Sequence, residues 1–156
     1  MKISLGSDHA GYPLKEFLKG RLLEHGHEIF DFGVHGAEPA SDYPLTIQPA
    51  ARAVVDGHAD RAIVLGGSGN GEAMSANKVP GIRCAMAWTE EVARLSREHN
   101  DANALALGAR LVDFELAWRL VRVWLDTSFA GGRHLPRIQL LEQTLTAELP
   151  KAERMG

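Results

Sequence analysis

The segment LGGSGNGEAMSANK, at 65–78, places four glycines within six residues and sets a carboxylate, Glu72, directly after the last of them. It follows the apolar run RAIVL, so it reads as a turn from a strand into a helix. Glycine-rich turns of this kind let backbone N–H groups surround an anion. Because a carboxylate would repel a resident anion, the position of Glu72 needs a chemical explanation.

Two nucleotide-binding patterns fail on this segment. The P-loop pattern matches the spacing of Gly66 and Gly71, but Glu72 stands where it requires lysine. The dinucleotide pattern G-x-G-x-x-G matches Gly67 and Gly69 and then also meets Glu72 at its last position. A nucleotide-binding module is therefore disfavoured, and a thermal-shift assay with nucleotides would test that alternative.

Two interpretations of Glu72 remain open from the residues alone. In the first, Glu72 is an acid in the first turn of a helix, where the dipole favours negative charge. In the second, it is a general base, and the amides of residues 67–71 stabilise an oxyanion that forms only when a proton leaves carbon. The dipole lowers a carboxyl pKa, whereas a base is best near ~6–7. The second interpretation therefore requires burial of Glu72.

Other polar residues also end predicted elements. Asp8 and His9 follow the first apolar run, and Arg110 follows the last one, which favours contact with a ligand. The alternative is that Asp8 caps a helix and His9 lies at the surface. His99 and Asn100 end a predicted helix, where a histidine is often only a cap.

The segment GGRHLPRIQ carries a candidate phosphate site. If it begins a helix, Arg133 and Arg137 share one face. Two guanidinium groups together with the His134 imidazole suit a phosphate dianion. Basic groups at a helix N-terminus oppose the dipole, which favours a ligand role over a solvated helix start.

Short apolar runs alternate with longer amphipathic segments. The predicted strands are KISLG, EIFDF, RAIVLG, IRCAMAW and NALALG. Four of the predicted helices cover about 15–24, 44–55, 113–126 and 134–149. Another follows the glycine-rich segment and ends at Ala76, and a further one is capped by Thr89, with Val92 and Leu95 facing inward. This alternation predicts an α/β protein with a doubly wound, five-stranded parallel sheet flanked by helices on both faces.

Strand order then predicts where a ligand binds. For the order 2-1-3-4-5, the switch point lies between strands 1 and 3, at their carboxyl ends. The loops SDHAG and GGSGNGE are therefore expected to face each other. The three tryptophans, at 88, 118 and 124, are expected to pack against other elements, and Cys84 is expected to lie in the core.

Length and composition limit the class of protein. The 156 residues predict one domain over 1–149, followed by a frayed tail over 150–156. A net charge of −3 without a basic run argues against nucleic acid and acidic membranes as partners. One cysteine fits a reducing compartment, and neither a signal peptide nor an apolar span is present. We therefore expect a cytoplasmic protein.

The motifs SDHAG, DYP, GGSGNGE, ANK, GIR, REHND and GAR occur in an order that resembles the ribose-5-phosphate isomerase B family. This family also contains galactose-6-phosphate and other sugar-phosphate isomerases, and the likeness runs from Met1 to about Leu141. The resemblance implies a Rossmann-like fold and homodimers, or tetramers in some members, with active sites between subunits. It implies neither a metal nor an organic cofactor.

The resemblance also implies roles for individual positions. It assigns phosphate binding to His9, Arg110, Arg133 and Arg137, with His134 nearby from a partner subunit. It further implies that Asp8 and His99 open the sugar ring, that Tyr43 and Asn100 contact the substrate, and that Ser68 contacts the reacting oxygens. The implied anion hole is formed by the amides of Gly67, Gly69, Asn70 and Gly71. Many members use a cysteine base at the position of Gly66. This sequence resembles the branch whose base is a glutamate at the position of Glu72.

The expected function is an aldose–ketose isomerase that interconverts ribose 5-phosphate and ribulose 5-phosphate through a cis-enediolate. The alternatives are the same chemistry on allose 6-phosphate, galactose 6-phosphate or a tetrose phosphate, and a non-catalytic phosphosugar-binding protein. A sensor could keep the arginines and lose the base. The presence of Glu72, Ser68 and His99 together therefore favours an enzyme.

Overall fold

The computed structural model describes residues 1–143, which form an all-parallel, five-stranded sheet with helices on both faces. The strands are β1 (Lys2–Ser7), β2 (Glu28–Asp31), β3 (Arg61–Gly66), β4 (Cys84–Met86) and β5 (Ala104–Gly108). The helices are α1 (Tyr12–Glu24), α2 (Pro44–Val55), α3 (Asn70–Ala76), α4 (Glu90–Asn100), α5 (Phe114–Asp126) and α6 (Leu135–Glu142), and a 3-10 turn at Gly132–His134 precedes α6. The predicted fold class is confirmed.

The strand order is β2-β1-β3-β5-β4, so the predicted order 2-1-3-4-5 is wrong in its last two places. All five residues of β5 are buried, which suits a position between two strands. The three residues of β4 are only half-buried, which suits the edge of the sheet. The point at which the strand order reverses still lies between β1 and β3, so the expected place of the ligand site is unchanged.

Alternating strand residues build two separate cores. Ile63 and Leu65 of β3 face a cluster that includes residues of α1, α4 and α5. Ala62 and Val64 face a second cluster, which packs against α2 and α3. The alternation of these side chains follows the two-residue repeat of a strand. Both faces of the sheet are therefore covered.

Two helices differ from their predicted form. The buried face of α4 includes Ala93 and Arg97; Val92 is half-buried and packs against the first core as predicted, whereas Leu95 is only half-buried. Arg97 can be buried because its guanidinium donates to Asp101 and to a backbone carbonyl, each at 2.7 Å. Helix α6 ends at Glu142, and the rest of the predicted helix and tail lies outside the described residues.

Two of the three tryptophans pack as expected. Trp118 and Trp124 are buried, but Trp88 is 53 % exposed, so its predicted packing role is wrong.

Cys84 is half-buried on the edge strand, and desolvation raises the pKa of its thiol to about 12. Over residues 1–143, no helix has both the length and the apolar character that a membrane crossing requires.

Candidate active site

The loops after β1 and β3 touch each other, as the strand order predicted. The backbone N–H of Asp8 donates to the carbonyl of Leu65 at 3.3 Å. Gly11 packs so closely on the backbone of Leu65 and Gly66 that a Cβ on it would overlap them. Glycine at position 11 thus lets the first loop lie against the glycine loop.

A cleft of about 360 Å³ opens between these loops. Nine residues line it: Asp8, His9, Ala10, Tyr43, Gly67, Ser68, Gly71, Glu72 and Arg110. Eight of them are predicted site residues. Sequence reasoning missed Ala10, whose methyl side chain carries no chemical signal beyond its place in the SDHAG loop.

Glu72 is positioned by the start of α3. Gly69 adopts φ 82° before the helix, a conformation that glycine tolerates best, and Glu72 then falls in the first helical turn. Its side chain is only 3 % exposed. Its carboxylate occupies the space that a Cβ on Gly66 would take. A side chain at position 66 and the present position of the Glu72 carboxylate therefore exclude each other.

Burial decides the protonation behaviour of Glu72. Desolvation raises its carboxyl pKa above the ordinary value, and the negative charge of Asp8 adds to the rise. The backbone amides of Glu72 itself and of Gly69 oppose the shift but do not cancel it. The pKa is therefore displaced in the direction that a general base needs.

The glycine loop is fastened to the end of β5. The N–H of Ala109 donates to the carbonyl of Gly66 at 2.8 Å. A Cβ on Gly108 would lie 2.5 Å from the carbonyl oxygen of Ser68, so the two backbones can approach only because position 108 is glycine. The loop that presents Ser68 is thus held by the central part of the sheet.

Arg110 and Tyr43 form the walls of the cleft. The Arg110 guanidinium packs against Gly67, where its Cζ would be 3.4 Å from an added Cβ, and it forms no ion pair with any carboxylate of residues 1–143. The ring of Tyr43 packs against Gly71, where its Cζ would be 2.8 Å from a Cβ. One wall therefore offers an unneutralised cation, and the other offers an aromatic ring.

The loop leaves backbone donors available. The N–H groups of Gly67 and Gly71 donate to no group in the part of the chain that the structure describes. The N–H of Asn70 lies 3.3 Å from the Ser68 hydroxyl oxygen and donates to it. Orphan donors at a helix start favour an anionic oxygen.

Asp8 has two contacts that matter for the site. Its Oδ1 accepts from the N–H of Gly11 at 2.9 Å, which holds the turn before α1. The residue is 7 % exposed and also lines the cleft. The cleft position is therefore present, whereas the alternative of a helix cap is wrong: the N-cap of α1 is Gly11, which has no side-chain cap, and Asp8 stabilises only the turn before it.

The remaining basic residues form a separate group, which we call the basic cluster: His99, Arg133, His134 and Arg137. The rings of His99 and His134 stack 4.3 Å apart at an interplanar angle of 11°. Desolvation, and then the charges of His99, Arg133 and Arg137, lower the pKa of His134. Within residues 1–143, neither arginine pairs with a carboxylate, and both are exposed.

None of the basic cluster lines the cleft that contains Glu72. Asn100 lines a different cavity, of about 600 Å³, beside β4 and α6. Gly69 and Asn70 lie in the glycine loop but outside the cleft lining. One chain thus divides the predicted site residues between two places. Among the described residues, no three His, Cys, Asp or Glu side chains are grouped as a metal site requires.

Known proteins are similar to this chain along nearly its whole length. A family model described as Ribose/Galactose Isomerase matches residues 3–141. Ribose-5-phosphate isomerase B of Mycobacterium tuberculosis H37Rv is 42% identical over 152 residues, which is 96% of this chain and 94% of that protein. The protein of the same name from Escherichia coli K12 is 41% identical over 90% of this chain and 93% of its own length.

Solved structures agree with these sequence matches. Ribose-5-phosphate isomerase B of Clostridium thermocellum superposes with a TM-score of 0.89 at 49% identity, covering 91% of this chain and 95% of that one. The Thermotoga maritima protein gives 0.88 at 41% identity, with 90% and 97% covered. The chain belongs to the Ribose/Galactose Isomerase family, and the predicted resemblance is confirmed.

Proposed function

We propose that this chain is an aldose–ketose isomerase that interconverts ribose 5-phosphate and ribulose 5-phosphate, with Glu72 as the base. The observation that carries the proposal is a buried carboxylate with a raised pKa, set beside unused backbone donors in a cleft. Relatives at about 42% identity, named ribose-5-phosphate isomerase B, support the substrate. The family description also names galactose, so a hexose phosphate is the second candidate.

In this proposal Glu72 moves a proton between C2 and C1 of the open-chain sugar. Removal of the C2 proton by the Glu72 carboxylate leaves negative charge on an oxygen of a cis-enediolate, and delivery of that proton to C1 removes the charge and restores the carboxylate. The unused amides of Gly67 and Gly71 stabilise that oxygen, those of Gly69 and Asn70 join them only when they leave Glu72 and Ser68, and Ser68 assists proton exchange between O1 and O2. Burial of Glu72 supports this role, because a carboxylate that is stripped of water binds a proton more strongly.

The phosphate is held by cations, which converts binding energy far from the reacting carbons into orientation. Arg110 and His9 stand at the cleft in the same chain as Glu72. Arg133, His134 and Arg137 do not, so we propose that the basic cluster of a second copy completes each site in a homodimer or in a tetramer of such dimers. His99 of that cluster, acting with Asp8, then opens the furanose ring. Exposed arginines without acidic partners among the described residues support this arrangement.

A proton NMR time course with ribose 5-phosphate in D₂O tests the activity. Wild-type protein is expected to form ribulose 5-phosphate, and the Glu72→Gln variant is not. Product formation decides the test, since a shielded base can return the same proton to the neighbouring carbon. If ribose 5-phosphate is inert and a hexose phosphate reacts, the second candidate is correct.

We also propose a cytoplasmic location, in line with a charged substrate and a single unpaired cysteine.

A further inference from the structure

The loop between β2 and α2, at 33–42, contacts the cleft residue His9 through Ser41. We propose that Ser41 is a positioning residue that holds His9 in one tautomer, with the proton on Nε2, so that the imidazole offers an N–H donor to the ligand. The inference deepens the proposed function, on which the identity of that ligand rests. Neither its geometry nor its test depends on turnover.

Two hydrogen bonds join residues that are 32 positions apart in the chain. The backbone N–H of His9 donates to the Ser41 hydroxyl oxygen at 3.1 Å. The backbone N–H of Ser41 donates to the Nδ1 atom of His9, also at 3.1 Å. We call this reciprocal pair the His9–Ser41 clamp. It fixes both the main chain and the ring of His9.

The second bond dictates the chemistry of the ring. A backbone N–H can only donate, so the Nδ1 atom that accepts from it carries no proton. In the neutral imidazole the proton then belongs to Nε2, and the hydrogen bond at one nitrogen sets the state of the other. His9 lines the cleft, and Nε2 is the ring nitrogen that the clamp leaves unused. A ligand there meets a donor, which suits a phosphate or sugar oxygen.

The start of the loop is anchored independently of the clamp. Lys15 is fully buried, and its Nζ donates to both carboxylate oxygens of Asp31, at 3.0 and 2.9 Å, and to the carbonyl of Val34 at 2.8 Å. The N–H of Val34 donates to the carbonyl of Ser7 at 3.2 Å. These contacts carry the chain from β2 across the end of β1. Ser41 then ties the far end of the loop to His9 just before α2.

The decisive measurement is the protonation of the His9 ring nitrogens. Histidine labelled with ¹⁵N is incorporated, and long-range ¹H–¹⁵N correlation spectra are recorded without ligand; His9→Gln identifies the signal. We expect wild-type His9 to show an unprotonated Nδ1 and a protonated Nε2. A protonated Nδ1 in the wild-type protein overturns the proposal, whatever the enzyme does to ribose 5-phosphate.

Three variants separate the donor from its surroundings. Ser41→Pro removes the N–H that bonds to Nδ1, whereas Ser41→Ala keeps this N–H and removes only the hydroxyl. Ala40→Pro is the matched control, because it places the same ring one residue earlier, at an exposed position whose N–H donates to no group in residues 1–143. Thermal unfolding of each variant shows whether the loop change affects the fold.

Only Ser41→Pro is expected to lose the single-tautomer signal. It should also raise KM for ribose 5-phosphate about threefold to tenfold, the effect of one hydrogen bond, with kcat changed less, because His9 binds substrate and transition state alike. Ser41→Ala and Ala40→Pro should keep the wild-type tautomer. An unchanged tautomer in folded Ser41→Pro, or its loss in Ala40→Pro, overturns the proposal.

The two levels of inference fail separately. If no phosphosugar is isomerised but His9 shows the expected tautomer, the proposed function is wrong and the positioning role stands. If Ser41→Pro does not fold, the wild-type and Ser41→Ala spectra still decide, since both retain the donor that the proposal invokes.

Discussion

The cleft at Glu72 and the basic cluster are built in opposite ways. Glu72 is 3 % exposed: it lies in the first turn of α3, its carboxylate packs against Gly66, and Asp8 of the turn after β1 lines the same cleft. Arg133 and Arg137 are exposed and have no acidic partner among residues 1–143. One region is preorganised within a single chain. The other presents positive charge outward.

This difference matches what each region has to do in the proposed reaction. A base must be desolvated to act near neutral pH, and a buried turn of backbone achieves that without a partner. A phosphate carries its own charge, so its ligands need only be concentrated and correctly spaced. We therefore expect the chemical step to take place in the cleft and the basic cluster to anchor the substrate.

The largest effect is expected from removing the base. Glu72→Gln keeps the volume of the side chain and abolishes its ability to take a proton. We expect kcat to fall by about 10²–10⁴, with a smaller change in KM, measured by steady-state conversion of ribose 5-phosphate. Unaltered thermal unfolding is the control for folding. A kcat within twofold of wild type would move the chemistry away from the cleft.

The next effect comes from the neighbour that makes room for Glu72. An added Cβ in Gly66→Ala overlaps the Glu72 carboxylate, so the base must shift. A misplacement of about 1 Å can cost roughly 10² in rate, and we expect a loss of that order in kcat. Gly67→Ala is the matched control, because the three atoms nearest to its Cβ belong to the Arg110 guanidinium and lie at ordinary contact distances of 3.4 to 3.5 Å. Equal losses in both variants would contradict the steric argument.

The division between the two regions is tested by mixing subunits. Arg137→Ala is expected to raise KM by roughly 10- to 100-fold, the cost of a lost charge-assisted contact, with a smaller change in kcat. Co-expressed with Glu72→Gln, it should yield mixed dimers with one intact site, and so regain about a quarter of wild-type activity in a random mixture. Activity no higher than the sum of the two variants would place both residues in the same chain's site.

The sequence predicted the cleft better than it predicted the cluster. Glycine spacing, apolar runs and strand alternation are local signals, and they placed Glu72 opposite Asp8 correctly. The order of β4 and β5 depends on which of the two strands is flanked by strands on both sides. This is a tertiary property, and the three-residue strand β4 is too short for its sequence pattern to indicate it. The predicted inward face of α4 was right for Val92 and wrong for Leu95, because hydrogen bonding lets Arg97 be buried where an apolar side chain was expected.

The resemblance named all these residues and implied sites between subunits, with His134 coming from a partner, but it did not say which subunit supplies each of the other residues. Nothing in the spacing of Arg133 and Arg137 indicates that they lie apart from Glu72, because sequence separation carries no direction in space. Trp88 shows the same limit: an aromatic residue after an apolar run reads as core, yet it is 53 % exposed. The fold adds which of the predicted residues line the Glu72 cleft within one chain.

A smaller effect is expected in the pH profile. The pKa of Glu72 is raised in the folded state, so lowering the pH protonates the base and kcat/KM should fall along an acid limb that lies above the ordinary carboxyl value of 4.5. The same sign applies to stability. Since the folded state holds the proton more tightly, Glu72 should destabilise the protein increasingly as pH rises from 4.5 through its folded pKa. Unfolding of Glu72→Gln should lack this slope, and an acid limb at or below 4.5 would contradict the desolvation of Glu72.

The smallest effect is expected at Cys84, and its size tests whether the base of the reaction is a cysteine thiolate or a glutamate carboxylate. Burial raises the pKa of this thiol to about 12, so almost no thiolate forms at neutral pH, and thiolate is the reactive species. Cys84→Ser should keep kcat within about twofold of wild type, because the residue lies on β4 and does not line the Glu72 cleft. Iodoacetamide should label the folded protein far more slowly than the unfolded chain. Rapid labelling that abolishes turnover would instead give this cysteine a part in the reaction and remove the need for a carboxylate base.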